Sequence, residues 1–351
     1  MKRVLTAVIL GFACGALVLA QQPSTPFKLG TFARADGKPF VGIVLKESSV
    51  IGFAAATDMK DLIARYDQFR PRILEAIRTG KQVDLKSLKT LPPIMHPMTM
   101  MNVAVNYREH DIEMNTLRAS GTTALGATTT QVTGGAAPAG TASAPGIWER
   151  AADDKRWNPY LFLKAPAAIV ADGEAIRIPP NRPNIDWECE LGVVIGREAD
   201  HVPLARAADY IFGYTLENDV SDRGGRGDQR FGSDWLLMKN HATFAPLGPF
   251  ITPKEFIPDV KNMRVRFTLN GQLMQDSNTS YMIHDVFEQV VYSSNILPLR
   301  PGDVIATGSP AGVGSARNPP IFLKNGDRTE CTYDGVGTLR NPVVGPTTGT
   351  R

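Results

Sequence analysis

The chain has 351 residues, of which 43% are hydrophobic and 21% are charged, and this composition excludes a fully disordered protein and a multi-span membrane protein. The formal net charge of +3 at pH 7 is small, so we expect no binding to nucleic acid, which normally needs a concentrated basic face. Three cysteines are too few for a disulfide-based scaffold.

The first twenty residues have the pattern of an export signal. Lys2 and Arg3 precede an uncharged apolar run over 4–20, and a cleavage site before Gln21 follows it. An uncleaved anchor is the alternative, but about 17 apolar residues are at the short end for a membrane span. We therefore predict a signal peptide at 1–20 and a periplasmic or secreted protein that has no membrane attachment after cleavage.

The next segment, 21–93, predicts a small N-terminal domain with strands and a helix. Residues 27–55 alternate between apolar and polar and predict a small β meander. Apolar residues recur at helical spacing over 58–79, and the interior Pro71 should kink or split this helix. A pair of prolines marks the predicted boundary at the end of this segment.

The second predicted domain, 94–346, contains a long stretch of low complexity. Of the 28 residues in 119–146, 25 are Gly, Ala, Ser, Thr or Pro, and none is charged. Such a segment cannot bury enough apolar surface to offset its ordering entropy. We predict a flexible Gly/Ala/Thr-rich insertion at 115–150. The remaining sequence predicts short strands and one clear helix near 281–295.

Two glutamates stand two residues apart at the head of an apolar run. On a strand, Glu188 and Glu190 would point to one face and Cys189 to the other. Two such carboxylates need a shared proton or a cation, and a hard divalent cation is the simplest solution. Two solvated glutamates at a strand edge are the alternative. A third acid, Asp219, follows another apolar run at a predicted strand end. Cys189 and Cys331 can pair in an oxidising compartment, but the sequence does not place them within bonding distance.

Several separated segments of the chain form an ordered set of motifs over about residues 95–345. The segments lie at 106–110 (Asn-Tyr-Arg-Glu-His), 162–166, 188–190, 213–221, 239–249, 269–272 and 301–314. In this order they resemble the fumarylacetoacetate hydrolase family, and the ordered set is specific although no single motif is.

The resemblance implies an α+β, β-rich fold in which a mixed β-roll forms the catalytic domain, preceded by a small N-terminal β/α domain, and usually a homodimer. It also implies one divalent metal ion, Mg²⁺ or Mn²⁺, with Ca²⁺ as a further option. The family's ligands fall on Glu188, Glu190 and Asp219, the residues that the spacing alone singles out. Open positions on such a metal accept water and substrate.

The resemblance also assigns catalytic roles to a histidine, a glutamate and a lysine. His110 and Glu113 are three residues apart and would face one side of a helix, where a carboxylate raises the basicity of an imidazole. Without the family context, an ordinary surface pair is the alternative. The family places a lysine near the substrate oxygens, and Lys239 would there stabilise developing negative charge.

Three further residues are assigned to substrate binding, namely Tyr107, Arg223 and Thr307. Arg223 matches a family arginine, and Thr307 begins a glycine-rich turn suited to a substrate carboxylate. A nucleotide-binding loop is the weaker interpretation of that turn, because no lysine follows it. Arg226 stands where the family often has a glutamine, which leaves the substrate class open. We expect Lys164 to have a structural or supporting role.

These features favour a metal-dependent hydrolase that cleaves a C–C bond in a 2-oxo or 1,3-dicarbonyl acid, similar to an acylpyruvate or fumarylpyruvate, through a metal-stabilised enolate. His110 would deprotonate the attacking water. Isomerisation or decarboxylation of an unsaturated 2-oxo dicarboxylic acid, as by a 2-hydroxyhepta-2,4-diene-1,7-dioate isomerase, needs the same groups and is one alternative. A non-catalytic binding protein that retains the fold is the other.

Overall fold

The structure, a computed structural model, describes residues 25–119, 144–151, 153–228, 230 and 232–346. The predicted signal peptide lies outside these residues. The helices are α1 (Met59–Ala64), α2 (Tyr66–Thr79), α3 (Arg108–Ala119), α4 (Ala207–Tyr210), α5 (Trp235–Lys239) and α6 (Val286–Ser294). The strands are β1 (Lys28–Ala33), β2 (Pro39–Leu45), β3 (Ser49–Gly52), β4 (Gln82–Asp84), β5 (Lys89–Leu91), β6 (Met100–Ala104), β7 (Tyr160–Leu163), β8 (Ile169–Val170), β9 (Ile176–Arg177), β10 (Ile185–Asp186), β11 (Cys189–Ile195), β12 (Ile211–Asn218), β13 (Ser221–Asp222), β14 (Ala245–Pro253), β15 (Arg264–Leu269), β16 (Gln272–Asn278), β17 (Val304–Ala306), β18 (Arg328–Tyr333) and β19 (Gly337–Val344).

Most strands belong to two sheets. In the larger sheet ten strands follow the order β4-β3-β2-β1-β14-β12-β11-β17-β6-β7, while β5 pairs with β1 and β8 pairs with β14. A five-stranded sheet has the order β16-β15-β18-β19-β9, and β10 pairs with β13. Most pairs are antiparallel, but β17 runs parallel to β6, β8 to β14 and β9 to β19. This mixed, strand-rich α+β architecture confirms the predicted fold class.

The N-terminal strands extend the large sheet. The predicted meander is present as β1, β2 and β3, and β1 pairs with β14 of the following segment. The predicted helix over 58–79 is split, but the break lies at Arg65, whose guanidinium binds Asp61. Pro71 lies inside α2. The boundary between two domains near residue 93 stays a prediction.

Alternation along β11 places its apolar residues in two different clusters of the core. Leu191 and Val193 face the five-stranded sheet and pack in one cluster with residues of β15 and β18. Val194 belongs to the other cluster, which contains residues of α1, α2 and β14. Because both faces of β11 are covered, its sequence reads as a continuous apolar run after Glu190.

Two predicted segments have different boundaries in the structure. α6 begins at Val286 rather than near residue 281, because Asp285 and Glu288 form a capping box there. The predicted insertion over 115–150 begins inside α3, and its far end forms a turn in which Trp148 is buried. The part between lies outside the described residues.

In the described part of the chain, no helix combines the length and apolarity needed to cross a membrane.

Candidate metal centre

Two neighbouring antiparallel strands bring three acids together. Glu190 lies in β11, Glu188 directly precedes that strand, and Asp219 directly follows β12. The pairing of Glu190 with Glu217 sets the register, and the Asp219 N–H donates to the Glu188 carbonyl at 2.7 Å. Each of the three acids, which we call the triad, is buried and offers a carboxylate oxygen within 4.8 Å of the other two. The structure thus assembles the three predicted metal ligands.

Two cationic side chains hold Glu188. Lys239 Nζ donates to Glu188 Oε2 at 2.7 Å, to Asp219 Oδ2 at 2.5 Å and to Ser221 Oγ at 2.8 Å. Arg223 donates to the other carboxylate oxygen of Glu188. Burial disfavours the charged form of Glu188, but Lys239 and Arg223 hold the pKa of that carboxyl well below its ordinary value. Glu188 is therefore ionised at neutral pH.

Glu190 has a different electrostatic environment. Burial raises the pKa of its carboxyl well above the ordinary value, and the negative charge of Asp219 raises it further. The Gly308 N–H donates to Glu190 Oε2 at 2.9 Å. A divalent cation beside these carboxylates would offset the repulsion that raises this pKa.

The donor set fits a hard divalent cation. Oxygen ligands are those that Mg²⁺ and Mn²⁺ prefer, whereas zinc sites are usually built with sulfur or imidazole ligands. The three triad carboxylates, Glu188, Glu190 and Asp219, supply oxygens alone. Because these side chains are almost fully buried, attraction to a cation is screened much less than at the surface.

The predicted acid–base pair lies at the start of α3. His110 Nδ1 and Glu113 Oε2 are 2.8 Å apart, and His110 is 4% exposed. The second carboxylate oxygen of Glu113 accepts from the Gly312 N–H at 2.9 Å. The carboxylate therefore fixes the imidazole and leaves Nε2 for a reacting group. The loop that carries Gly312 also carries Gly308, so one loop connects this pair, which we call the dyad, with the triad.

A buried aspartate, Asp186, organises another side of the site. Its carboxylate accepts from the N–H of Gly314 at 2.6 Å, from the N–H of Ser315 at 2.9 Å and from Arg223 Nε at 3.2 Å. Because Arg223 also binds Glu188, Asp186 links the loop after β17 to the triad. Motif analysis alone misses Asp186, although it stands two residues before Glu188 and continues the strand alternation.

The three predicted substrate residues lie in different surroundings. Tyr107 is fully buried with its hydroxyl 3.3 Å from that of Tyr333, and this position gives no support to a substrate contact. The side chain of Arg223 is 11% exposed and is engaged by two acids, which favours a role in holding Glu188. Thr307 is buried at the end of β17, and its hydroxyl has no hydrogen-bond partner among the described residues. Thr307 therefore retains a donor for a ligand.

Two more buried charged residues border the triad. Lys164 Nζ is 2.6 Å from Asp219 Oδ1, and this ion pair agrees with the supporting role that the sequence predicts. Glu217 stands opposite Glu190 and accepts from Asn102 Nδ2 at 2.6 Å. The sequence signal for Glu217 is its position two residues before Asp219, which again follows strand alternation.

Comparisons with known proteins agree with this fold. The family model described as fumarylacetoacetate (FAA) hydrolase C-terminal matches residues 99–344. The chain is 31% identical over 335 residues to the Xenopus laevis protein named oxaloacetate tautomerase fahd2, mitochondrial, and the alignment covers 93% of each chain. Among solved structures, it is similar to 5-carboxymethyl-2-hydroxymuconate delta-isomerase from Mycobacterium smegmatis, with 30% identity and a TM-score of 0.64 over 92% of this chain and 100% of that one. Maleylpyruvate hydrolase from Sphingobium sp. SYK-6, solved with manganese(II) and pyruvate, shares the fold, with 22% identity and a TM-score of 0.69 over 91% of this chain and 100% of that one.

These relatives correct one prediction and establish another. A periplasmic or secreted location is contradicted, because the aligned tautomerase is named as a mitochondrial protein. A basic start and an apolar run form a compositional pattern, and this pattern does not by itself specify a compartment. The match over 99–344 and the relative aligned over 93% of its length show that the chain belongs to the fumarylacetoacetate hydrolase family of enzymes.

Proposed function

We propose that this enzyme is a metal-dependent tautomerase of a small 2-oxo acid, which moves a proton between the carbon next to the oxo group and the oxo oxygen. The observation that carries the proposal is the dyad of buried His110 and partly buried Glu113, joined through the loop 308–312 to the triad. A fixed imidazole is suited to proton transfer at carbon. The names of the aligned tautomerase and isomerase support the same class of reaction.

The triad, the dyad, Lys239 and Thr307 each have a role in this reaction. The triad would hold a divalent cation, which would act as a Lewis acid on the 2-oxo group. His110 Nε2 removes the proton from the carbon, while Glu113 stabilises the imidazolium that forms. The Lys239 ammonium stabilises the negative charge that develops on the oxo oxygen. The imidazolium then returns the proton to that oxygen, which gives the enol. The Thr307 hydroxyl donates to the substrate carboxylate.

Hydrolysis of a C–C bond in an acylpyruvate-like acid is the second candidate. The family match itself, described as a hydrolase, favours it. In this reaction the dyad of His110 and Glu113 would deprotonate a water, which then attacks a carbonyl carbon. The two candidates differ in their products, because tautomerisation keeps the carbon skeleton and hydrolysis releases two acids.

The experiment that separates the candidates combines enol absorbance with product analysis. With Mn²⁺ present, the protein should accelerate the interconversion of keto and enol oxaloacetate, and NMR should show an unchanged carbon skeleton. Cleavage of an acylpyruvate into two acids, without tautomerase activity, would establish hydrolysis instead. If neither reaction is accelerated, both candidates fail.

The role of the dyad has its own test. We expect His110→Ala to lower turnover by about 10²–10⁴-fold, the range for losing general acid–base catalysis. Its Mn²⁺ affinity should stay unchanged, because His110 is outside the triad. His201→Ala is the matched control, since the His201 side chain is 70% exposed and pairs with the neighbouring Asp200. Turnover near the wild-type rate in His110→Ala would exclude this histidine as the base.

A further inference from the structure

Lys164 is a fully buried lysine to which the proposed reaction gives no role. It directly follows β7, and its side chain is 0% exposed. Taking an ammonium group out of water is costly unless its charge is paired and its protons are bonded. The oxygens that contact the Lys164 ammonium therefore indicate the role of this residue.

The Lys164 ammonium contacts four oxygens. It donates to the backbone carbonyls of Lys239 at 2.6 Å, Phe244 at 2.7 Å and Val220 at 3.1 Å. The fourth oxygen is Oδ1 of Asp219, which lies 2.6 Å from the ammonium as an ion pair and accepts no hydrogen bond from the described residues. The carbonyls belong to the end of α5, to the residue before β14 and to the segment after β12. Three separate backbone segments thus fix the position of the ammonium that faces Asp219.

The other buried lysine of the site is held in a different way. The Lys239 ammonium contacts side-chain oxygens of Glu188, Asp219 and Ser221. Side-chain oxygens move by rotation between rotamers, whereas the carbonyls around Lys164 belong to the packed backbone. The acceptors of Lys239 are thus two triad carboxylates and a hydroxyl, whereas the acceptors of Lys164 are backbone carbonyls.

We propose that Lys164 is the positioning residue of the third metal ligand, because its charge attracts Oδ1 of Asp219 and thereby keeps Oδ2 turned towards Glu188. The Lys239 ammonium bridges Asp219 Oδ2 and Glu188 Oε2, which shows that these two oxygens face a common point. The inference rests on the metal-binding role proposed for the triad. Residues that orient a ligand typically change metal affinity 10–100-fold when they are removed.

A purely structural role for Lys164 makes a different prediction. Because Lys164 joins three backbone segments, its removal lowers the stability of the protein in either case. A positioning role additionally predicts that the folded protein binds metal less tightly. The informative quantity is therefore the Mn²⁺ affinity of the folded variant, measured beside its unfolding temperature.

The test is calorimetric titration of Mn²⁺ into Lys164→Met, which keeps the length of the side chain and removes the ammonium. We expect a loss of affinity of about 10–100-fold. Turnover should largely return at saturating Mn²⁺, whereas Lys239→Met should stay impaired because Lys239 would contact the substrate. Lys254→Met is the control, since Lys254 is bonded to the Ala208 carbonyl by its ammonium and lies outside the triad.

The possible results separate this inference from the proposed function. Wild-type protein that binds no Mn²⁺ would reject the metal site itself. Wild-type binding together with unchanged affinity in folded Lys164→Met would reject the role of Lys164 alone. If Lys164→Met does not fold, Lys164→Gln retains an amide donor without the charge, and the same loss of affinity is expected. If neither variant folds, Lys164 serves the fold and the inference is overturned.

Discussion

Glu217 is a buried carboxylic acid whose ionisation opposes folding. Its carboxyl is fully buried, accepts from Asn102 Nδ2 and stands opposite Glu190 on the neighbouring strand. Burial, followed by the negative charge of Asp219, raises the pKa of Glu217 to about 8. The protonated form therefore persists in the folded protein at a pH where an exposed glutamate is ionised.

This pKa predicts how stability depends on pH. Between the ordinary value of 4.5 and about 8, the folded protein retains a proton that the unfolded chain has released, so stability falls as the pH rises through this window. Glu217→Gln cannot ionise and should remove part of that fall, on the order of a few kcal/mol. Unfolding temperatures in EDTA from pH 5 to 8.5 measure the difference. Glu198→Gln, at an exposed position, is the control, and parallel curves for wild type and Glu217→Gln would refute the prediction.

Strand periodicity predicts some residues of the site and leaves others unassigned. Glu188 and Glu190 are two residues apart on a strand, so period-two spacing alone places both carboxylates on one face. Thr307 follows β17 as a buried hydroxyl, and the glycine-rich turn signals this position. Lys164 acquires its partners from three distant segments, and periodicity contains no information on such contacts.

At the scale of elements, the loop after β17 couples the triad to the dyad. The N–H of Gly308 donates to Glu190 and the N–H of Gly312 donates to Glu113, each at 2.9 Å. Gly312 has a φ of +101°, a conformation that side chains other than glycine rarely adopt. A Cβ atom at Gly312 would lie 2.2 Å from the Met274 carbonyl oxygen. The loop must therefore shift if this glycine is replaced.

We expect Gly312→Ala to remove the hydrogen bond that the Gly312 N–H donates to Glu113. The shifted loop would no longer donate to Glu113, so turnover should fall while Mn²⁺ affinity changes little. Gly326→Ala is the matched control, because Gly326 has a similar φ of +93° and open space around the Cβ position. Equal loss of activity in both variants would show that backbone strain, rather than the contact with Glu113, is responsible.

Local spacing also explains which elements are predictable. His110 and Glu113 are correctly placed on one helix face, because i, i+3 neighbours meet on any α-helix. The break between α1 and α2 is at Arg65, whose φ of -115° and ψ of 27° lie outside the α-helical range, and Pro71 lies within α2. Proline thus correctly predicts that the helix is interrupted, but it does not predict the residue at which the interruption lies.

At the scale of the whole molecule, the arrangement of the sheets is outside the reach of sequence periodicity. β1 pairs with β14, and the two strands are more than 200 residues apart in the chain. β10 and β13 likewise pair across the intervening β11 and β12. Alternating patterns predict that such strands exist, but the choice of partner depends on packing of the complete core. The fumarylacetoacetate hydrolase resemblance supplies that information where spacing does not.

A disulfide connects β11, beside which two triad residues lie, to the five-stranded sheet. Cys189 lies between Glu188 and Glu190 on the opposite face of β11, and it is bonded to Cys331 of β18 across a sequence separation of 142 residues. Both cysteines are buried, with exposures of 0% and 1%. The bond therefore fixes the strand that carries two triad residues against the five-stranded sheet.

Removing this cross-link should lower both the stability of the protein and its affinity for Mn²⁺. We expect Cys331→Ala to lower the free energy of unfolding by about 2–4 kcal/mol, because the unfolded chain regains the freedom that a long covalent loop removes. Guanidinium unfolding measures this loss, and the difference from wild type should vanish when both proteins are unfolded in reductant. Mn²⁺ affinity should fall as well, since Glu188 and Glu190 flank Cys189 in the strand. If Cys331→Ala loses stability but keeps its Mn²⁺ affinity, the disulfide supports the fold alone. Two free thiols in the native wild-type protein would show that the bond does not form.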